Sequence, residues 1–178
     1  MSKDSFCTFC GTEFVPPLTY PRTCASCSAQ IWANPIPVSV VLVPVRHHGK
    51  VGLLVVRRGI PPVGKLAIVG GFLEEHETWQ QGGAREVLEE TGVTLTGTLE
   101  PFWFTSTEPK PNRVLLFSLA PTLFALDAFT PNAETIERGL VFGPDGLDDV
   151  FAFPLHLQAA KRFFEHLKIS GPHAYTAV

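Results

Sequence analysis

Two groups of side chains in this sequence could do chemistry. One is the run GGFLEEHETWQQGGAREVLEETGV, residues 70 to 93, which gathers Glu77, Glu86, Glu89 and Glu90 around Arg85. If residues 79 to 91 are helical, Glu86, Glu89 and Glu90 fall within an arc of about 100°, because positions i, i+3 and i+4 are neighbours. Val87, Leu88 and Thr91 then take the other side. Like charges so arranged repel by a few tenths of a kcal/mol per pair. A divalent cation removes that repulsion, and hard carboxylate oxygens suit Mg²⁺ or Mn²⁺ better than Zn²⁺. Arg85 lies one turn before Glu89 and can hold that carboxylate in place.

The other group is Cys7-x2-Cys10 and Cys24-x2-Cys27, which hold all four cysteines of the chain. Two such pairs at this separation can bring four thiolates to one tetrahedral Zn²⁺. Four thiolates fill the coordination sphere, so the expected role is structural. The alternative is two disulfides, which the apparent lack of a secretory leader in MSKDSFCTFCG disfavours. A segment this short cannot bury enough apolar surface alone, so the metal would supply much of its stability. Within residues 1 to 34, Lys3 and Arg22 balance Asp4 and Glu13, and four thiolates with one Zn²⁺ add two negative charges. Such a surface repels a phosphate backbone.

The whole chain has 178 residues, 45% of them hydrophobic and 17% charged, with a formal net charge of −3. That suffices for one core plus a small appendage, and it argues against broad nucleic-acid binding. No apolar run approaches a membrane span, so a soluble cytoplasmic protein is expected. The elements that must position the glutamates follow from pattern. VSVVLVPV (38–45), VGLLVVRR (51–58) and KLAIVGG (65–71) read as strands. A helix follows, opened by a Thr78/Gln81 capping box and closed at Gly92, with Gly82 and Gly83 as costly interior residues that suggest close packing. VTLTGTLEPFWFTST (93–107) and RVLLFSLAPTLFAL (113–126) read as strands about an EPKPN turn, and HLQAAKRFFEHLK (156–168) as an amphipathic helix. The tail from 169 to 178 is expected to be loosely ordered.

Gly71, five residues, Glu77, seven residues and then Arg85-Glu86-Val87-Leu88-Glu89-Glu90-Thr91-Gly92-Val93 match every fixed position of the Nudix box. With the cysteines ahead of it, joined through WANP, the chain resembles the NADH-pyrophosphatase and plant FAD-pyrophosphatase branch of the Nudix hydrolases. The resemblance implies an α/β fold, a Nudix α/β/α sandwich on a mixed sheet. Its expected organisation is a zinc ribbon over 1–34, a Nudix domain over 35–168 and a tail over 169–178. It also implies metal-dependent hydrolysis of a nucleoside diphosphate linked to another moiety, such as FAD, NADH or ADP-ribose.

By the same resemblance, Glu86 and Glu90 hold Mg²⁺ or Mn²⁺, Glu89 ligates or orients, and the Gly70 carbonyl adds a ligand. Glu77, with Arg85 and Glu89, forms a salt-bridged support. The general base is open between Glu86 and a distal carboxylate, Glu134 or Glu137, with Glu137 favoured. Arg57, Phe72 and Phe104 are the candidate substrate contacts; Arg58 and Lys65 could also reach phosphate. The chain departs from the NADH branch in carrying FWFTSTEPKPN where an SQPWPFP-type segment would stand, so no strong preference for NADH is expected. The expected partner is a small nucleotide, with neither nucleic acid nor membrane, and a homodimer is an open arrangement. The competing reading is a catalytically inactive module that binds RNA or a protein.

Overall fold

The computed structural model describes residues 5–107 and 112–178, so most of the expected EPKPN turn, with Lys3 and Asp4, lies outside the described residues. The chain divides into two compact units, Met1–Pro35 and Ile36–Val178. In the first, two tight turns close on the cysteine pairs. The Gly11 amide donates to the Cys7 carbonyl at 2.9 Å, and the Ser28 amide to the Cys24 carbonyl at 2.9 Å. Gly11 has φ +74°, a left-handed conformation that glycine adopts without a Cβ clash. Short strands β1 (Arg22–Thr23) and β2 (Gln30–Ile31) pair antiparallel. Cys7, Cys24 and Ile31 form the small buried centre.

The second unit carries β3 (Ile36–Leu42), β4 (Pro44–His47), β5 (Lys50–Arg58), β6 (Leu66–Ala67) and β7 (Val69–Phe72) ahead of helix α1 (Trp79–Thr91). After it come β8 (Glu100–Ser106), β9 (Arg113–Leu119), β10 (Thr135–Phe142), helix α2 (Pro154–His166) and β11 (Ala174–Ala177). One sheet has the order β7-β3-β9-β8, with β3 and β9 parallel and the other pairs antiparallel. The other has the order β11-β10-β5-β4, with β6 also on β5. The expected single strands 38–45 and 65–71 each break in two and pass from one sheet to the other. Among the described residues no helix is long and apolar enough to cross a membrane.

Alternation along the strands builds two cores. Val40, Leu42, Leu53, Val55, Phe117 and Val141 point to one face and pack on Phe163 and Phe164 of α2. Val41, Val43, Leu54, Val56 and Leu140 point to the other and pack on Val87 of α1. The layers are therefore helix, sheets, helix. Gly83 lets α1 lie directly on β3: a Cβ there would come within 2.8 Å of Ser39 Oγ and 2.9 Å of Val41 Cγ2. The Ser39 hydroxyl fastens the contact by donating to the Trp79 carbonyl at 2.9 Å.

Two strands of the second unit escaped the sequence reading. β10 is the central partner of β5, and its register slips between Thr135 and Glu137, so that Thr135 faces Arg58 and Glu137 faces Arg57 across the pair. β11 lies in the segment expected to be a loose tail; its residues pair with Gly139 to Phe142. Tyr175 lies flat against Gly139, where a Cβ would meet its ring at 2.4 Å.

His156 on α2 is buried, with its Nδ1 accepting the Ile68 amide at 3.1 Å. Burial holds its pKa down at about 3, so it stays neutral in the fold while the unfolded chain protonates it near 6.5. The unfolded state therefore binds one more proton in that window, and stability is lost as pH falls through it. His156→Asn keeps an acceptor for the Ile68 amide but does not titrate. The stability advantage of the natural protein over this variant should shrink by about 1.4 kcal/mol per pH unit below roughly pH 6.5, read by urea unfolding.

Candidate functional site

Helix α1 is fixed at both ends. Its opening Thr78 and Gln81 exchange reciprocal hydrogen bonds of 3.3 Å and 2.8 Å, and Gly92 closes it at φ 72° with its amide on the Leu88 carbonyl at 2.8 Å. Arg138, which is 4% exposed and was not singled out from the sequence, completes the end by donating to the Thr91 carbonyl at 2.7 Å and the Asp127 carbonyl at 2.9 Å. A cation at the C-terminal end of a helix is favoured by the helix dipole.

On the outward side of α1, one guanidinium organises the acids. Arg85 grips Glu77 through Nε at 3.1 Å and Nη2 at 2.8 Å, Glu86 at 2.8 Å and Glu89 at 3.1 Å, and it donates to the Phe72 carbonyl at 3.0 Å. Glu77 also accepts the Glu74 amide at 2.7 Å. Arg85's hydrogen bonds hold Glu77 below the usual carboxylate range, and Glu77 in turn raises Arg85. Thus Glu77, Arg85 and Glu89 form a single paired assembly.

Glu86 and Glu90 are placed differently. Glu86 lies against β7 where Gly71 leaves room: a Cβ at Gly71 would stand 2.3 Å from Glu86 Oε1. Glu90 reaches the same strand and accepts the Gly70 amide at 3.2 Å. Gly70 itself is pressed on β3, with a would-be Cβ 2.3 Å from the Ser39 carbonyl oxygen. Burial raises the Glu86 carboxyl, against the pull of Arg85 and with Glu89 and Glu134 adding to the rise. Burial pushes Glu90 up to about 8, with Glu86 and Glu134 reinforcing it and the Gly70 amide and Arg58 opposing. Half-buried acids that raise one another in this way form an oxygen-rich pocket short of positive charge. That is the donor set a hard divalent cation fits.

The distal carboxylates separate. The charge of Glu134 acts on both Glu86 and Glu90. Glu137, the expected partner, sits instead on the α2 face, paired with Arg57 Nε at 2.8 Å and accepting the Tyr175 hydroxyl. The register slip at the start of β10 is the cause, since it turns Glu137 to the side opposite α1. Arg57 shares that side, holding the Gly64 carbonyl at 2.9 Å, and with Lys65 and Tyr175 it lines a cavity of about 450 Å³. Arg58, the next residue, turns towards α1; its Nη2 donates to the Pro61 carbonyl at 2.7 Å and its guanidinium lies 4.8 Å from the Phe153 ring centre.

The two candidate stacking rings do not meet. Phe72 pairs across to Val38 and Leu115 on the α2 face, with Arg113 over its ring at 5.0 Å. Phe104 aligns with Leu116, Ser39 and Gly71 on the α1 face and is 66% exposed. Phe102 and Trp103 pack against the α2-side core.

In the first unit, the Sγ atoms of Cys7, Cys10, Cys24 and Cys27 all lie within 4.8 Å of one another, and none is in a disulfide. The cross-pairs Cys7–Cys27 and Cys10–Cys24 are 3.7 Å and 3.6 Å apart. A tetrahedron with Zn–S of ~2.3 Å requires about 3.8 Å between sulfurs, so the cluster fits zinc. Hydrogen bonding by Thr12 brings the Cys10 thiol down to about 6, towards the thiolate a metal needs.

A family model described as "NUDIX domain" matches residues 35–162. The chain is similar to the "NAD-capped RNA hydrolase NudC" of Deinococcus radiodurans, 27% identical over 178 residues that cover 96% of this chain and 60% of that protein. It is also similar to the protein of the same name from Shigella flexneri, 30% identical over 91 residues covering 51% of this chain and 34% of that one. The chain therefore spans between a third and three fifths of the length of these curated relatives. Among solved structures, a NUDIX hydrolase from Nitrosomonas europaea superposes with a TM-score of 0.68 at 29% identity, covering 94% of this chain and 95% of that one. The NUDIX domain of Shewanella oneidensis NrtR, solved with ADP ribose, shares the fold at 20% identity and a TM-score of 0.62, over 76% and 90% of the two chains.

Two outcomes test this geometry. Protein purified without added metal should contain about one Zn²⁺ per chain, and Cys24→Ser should lose it, as read by elemental analysis. The second concerns Glu90, which ionises near 4.5 when unfolded but near about 8 in the folded chain without divalent cation. Folding therefore retains a proton between those values, and stability drains as pH rises through them. Glu90→Gln should melt progressively higher than the natural protein from pH 5 to pH 8.5 in the absence of added Mg²⁺, and saturating Mg²⁺ should narrow the gap.

Proposed function

The chain belongs to the NUDIX family, and from that premise we propose that it is a divalent-metal-dependent pyrophosphohydrolase cleaving the diphosphate of a nucleotide derivative. The observation that carries this is the convergence of Glu86, Glu90 and Glu134 beside Gly70 and Gly71, where burial and mutual repulsion raise the box acids. A binding module gains nothing from acids held at such cost.

In this reading Glu86 and Glu90 are the ligands for Mg²⁺ or Mn²⁺, with Glu89 beside them. Such a cation neutralises the diphosphate and acidifies water at neutral pH. Arg85 and Glu77 set the carboxylate positions. Glu134, rather than Glu137, is the proton acceptor, because Glu137 is engaged by Arg57 and Tyr175 on the far face. A water oxygen attacks phosphorus, its proton passes to Glu134, the bridging P–O bond breaks, and two monophosphates leave. Arg58, whose charge acts on Glu90, is the cation proposed to meet the phosphate oxygens. The cysteine cluster holds Zn²⁺ as a structural ion.

The proposed substrates are dinucleotide-type diphosphates such as NADH, FAD and ADP-ribose. The relatives' name raises a second class, an RNA ending in a nucleotide cap. The net charge of −3 gives little attraction for such a chain, which makes free nucleotides the favoured reading. A panel of NADH, FAD, ADP-ribose and an NAD-capped oligonucleotide, scored by kcat/KM with Mg²⁺ and Mn²⁺, separates the two. Free nucleotides should lead, with NADH within about 100-fold of the best, ~2.7 kcal/mol of discrimination. On the best substrate Glu90→Gln should lower kcat roughly 10²- to 10⁴-fold, and Glu77→Gln roughly 10- to 100-fold. Full turnover by both variants would transfer the protein to the binding-module reading.

A further inference from the structure

Glu134 sits in an exposed loop, and a carboxylate in such a loop does not stay in one place unless something holds it. The loop contains its own clamp. The Asn132 side-chain oxygen accepts the Glu134 amide at 2.9 Å and the Thr135 amide at 2.7 Å, while its backbone amide donates to the Thr135 carbonyl at 2.9 Å. Asparagine is suited to this closure, because its side chain reproduces a backbone turn. The other half of the amide, Nδ2, donates to the Glu89 carbonyl at 3.2 Å. That carbonyl lies in the last turn of α1, where helix carbonyls have no partner within the helix. On the opposite side, the Glu134 carbonyl takes the Gly59 amide at 2.7 Å, at the end of the strand that carries Arg58.

We propose that Asn132 is a positioning residue: it ties the turn bearing Glu134 to the end of the metal-binding helix, so that base and ligands keep one spacing. Both ends of the tie are places where the fold leaves hydrogen-bonding groups open, the spent end of α1 and the first amides of β10. One neutral side chain satisfies both. A charged residue could not, because an aspartate has no donor for the Glu89 carbonyl and would add a negative charge beside Glu134. The slip after Thr135 depends on the same clamp, since the Thr135 amide is fixed just before the chain bulges. Through it, Asn132 also selects the face on which each glutamate falls.

The inference rests on Glu134 being the proton acceptor, so the test carries an arm for each. Asn132→Ala, Glu134→Gln and their double variant are compared on ADP-ribose, FAD and NADH with Mg²⁺, and melting temperatures are recorded for all. Asn132→Ala should lower kcat about 10- to 30-fold with KM within about twofold, and should add almost nothing in the Glu134→Gln background. Asn132→Ser, which keeps an oxygen for the two amides, should regain most of the lost kcat and serves if the alanine variant folds poorly. With neither metal nor substrate, the amides of Glu134 and Thr135 should exchange with solvent faster in Asn132→Ala than in the natural protein. An undiminished loss in the Glu134→Gln background, an effect on KM alone, or unchanged amide exchange overturns the positioning role. Full turnover by Glu134→Gln overturns the assignment of the proton acceptor instead, and amide exchange then still decides whether Asn132 holds the turn.

Discussion

The site depends on the charge of Arg85. Three carboxylates and a backbone carbonyl meet there, and a single guanidinium with five donors in a rigid fork makes that crowding tolerable. It engages Glu77 twice, Glu86 and Glu89 once each, and the Phe72 carbonyl. A lysine could offset the charge but not the geometry, since its three donors radiate from one point. The distribution is uneven in a useful way. Glu77 and Glu89 are paired outward, whereas Glu86 is only half satisfied and Glu90 receives nothing from Arg85 but an amide from Gly70. The carboxyl groups left without a cation lie on the side facing β7.

That concentration requires α1 and the strands to approach more closely than side chains normally allow. Gly83 admits Ser39 and Val41, Gly71 admits the Glu86 carboxylate, and Gly70 lies on the Ser39 carbonyl. Each glycine weakens its own element, by about 1 kcal/mol in a helix. The local loss is offset by the packing of Val87 into the second core and by the fixed caps at both ends of the helix. The rigid frame and the crowded acids are thus parts of one arrangement.

Much of this was legible in the sequence, and the limits are physical. The capping box, the Gly92 stop and the box spacing are local signals, and they placed α1 to within a residue. The four cysteines were equally local. Close packing at Gly82 and Gly83 could be suspected, but Gly83's partner, Ser39, lies some forty residues away, whereas Gly82 meets the nearer Leu73 and Glu77. β10 was missed because TIERGLVF breaks alternation: Glu137 and Arg138 interrupt it, and the bulge shifts its phase. Arg138 reads as a surface charge, yet it is buried because three backbone carbonyls from distant segments meet it. Glu134 and Glu137 matched the pattern equally well, and only the register of β10 against β5 distinguishes them. Phe72 and Phe104 could not be separated either, as the face of an aromatic residue is set by pairing across four strands.

The slip between Thr135 and Glu137 has a consequence for how such a protein can change. A strand has two sides, and one residue added or removed exchanges everything beyond that point. Neighbouring residues on β5 serve different surfaces by plain alternation, Arg58 turning towards the acids and Arg57 into the cavity beside Tyr175, and the bulge sits in the strand opposite them. Loss of Ile136 would close the bulge with Thr135 still on Arg58 and Glu137 still on Arg57, without altering any residue of the helix. A deletion there tightens the strand and leaves each distal acid on the surface it already serves. The helix gathers the acids, and the pairing of β10 on β5 decides which distal carboxylate lies near them.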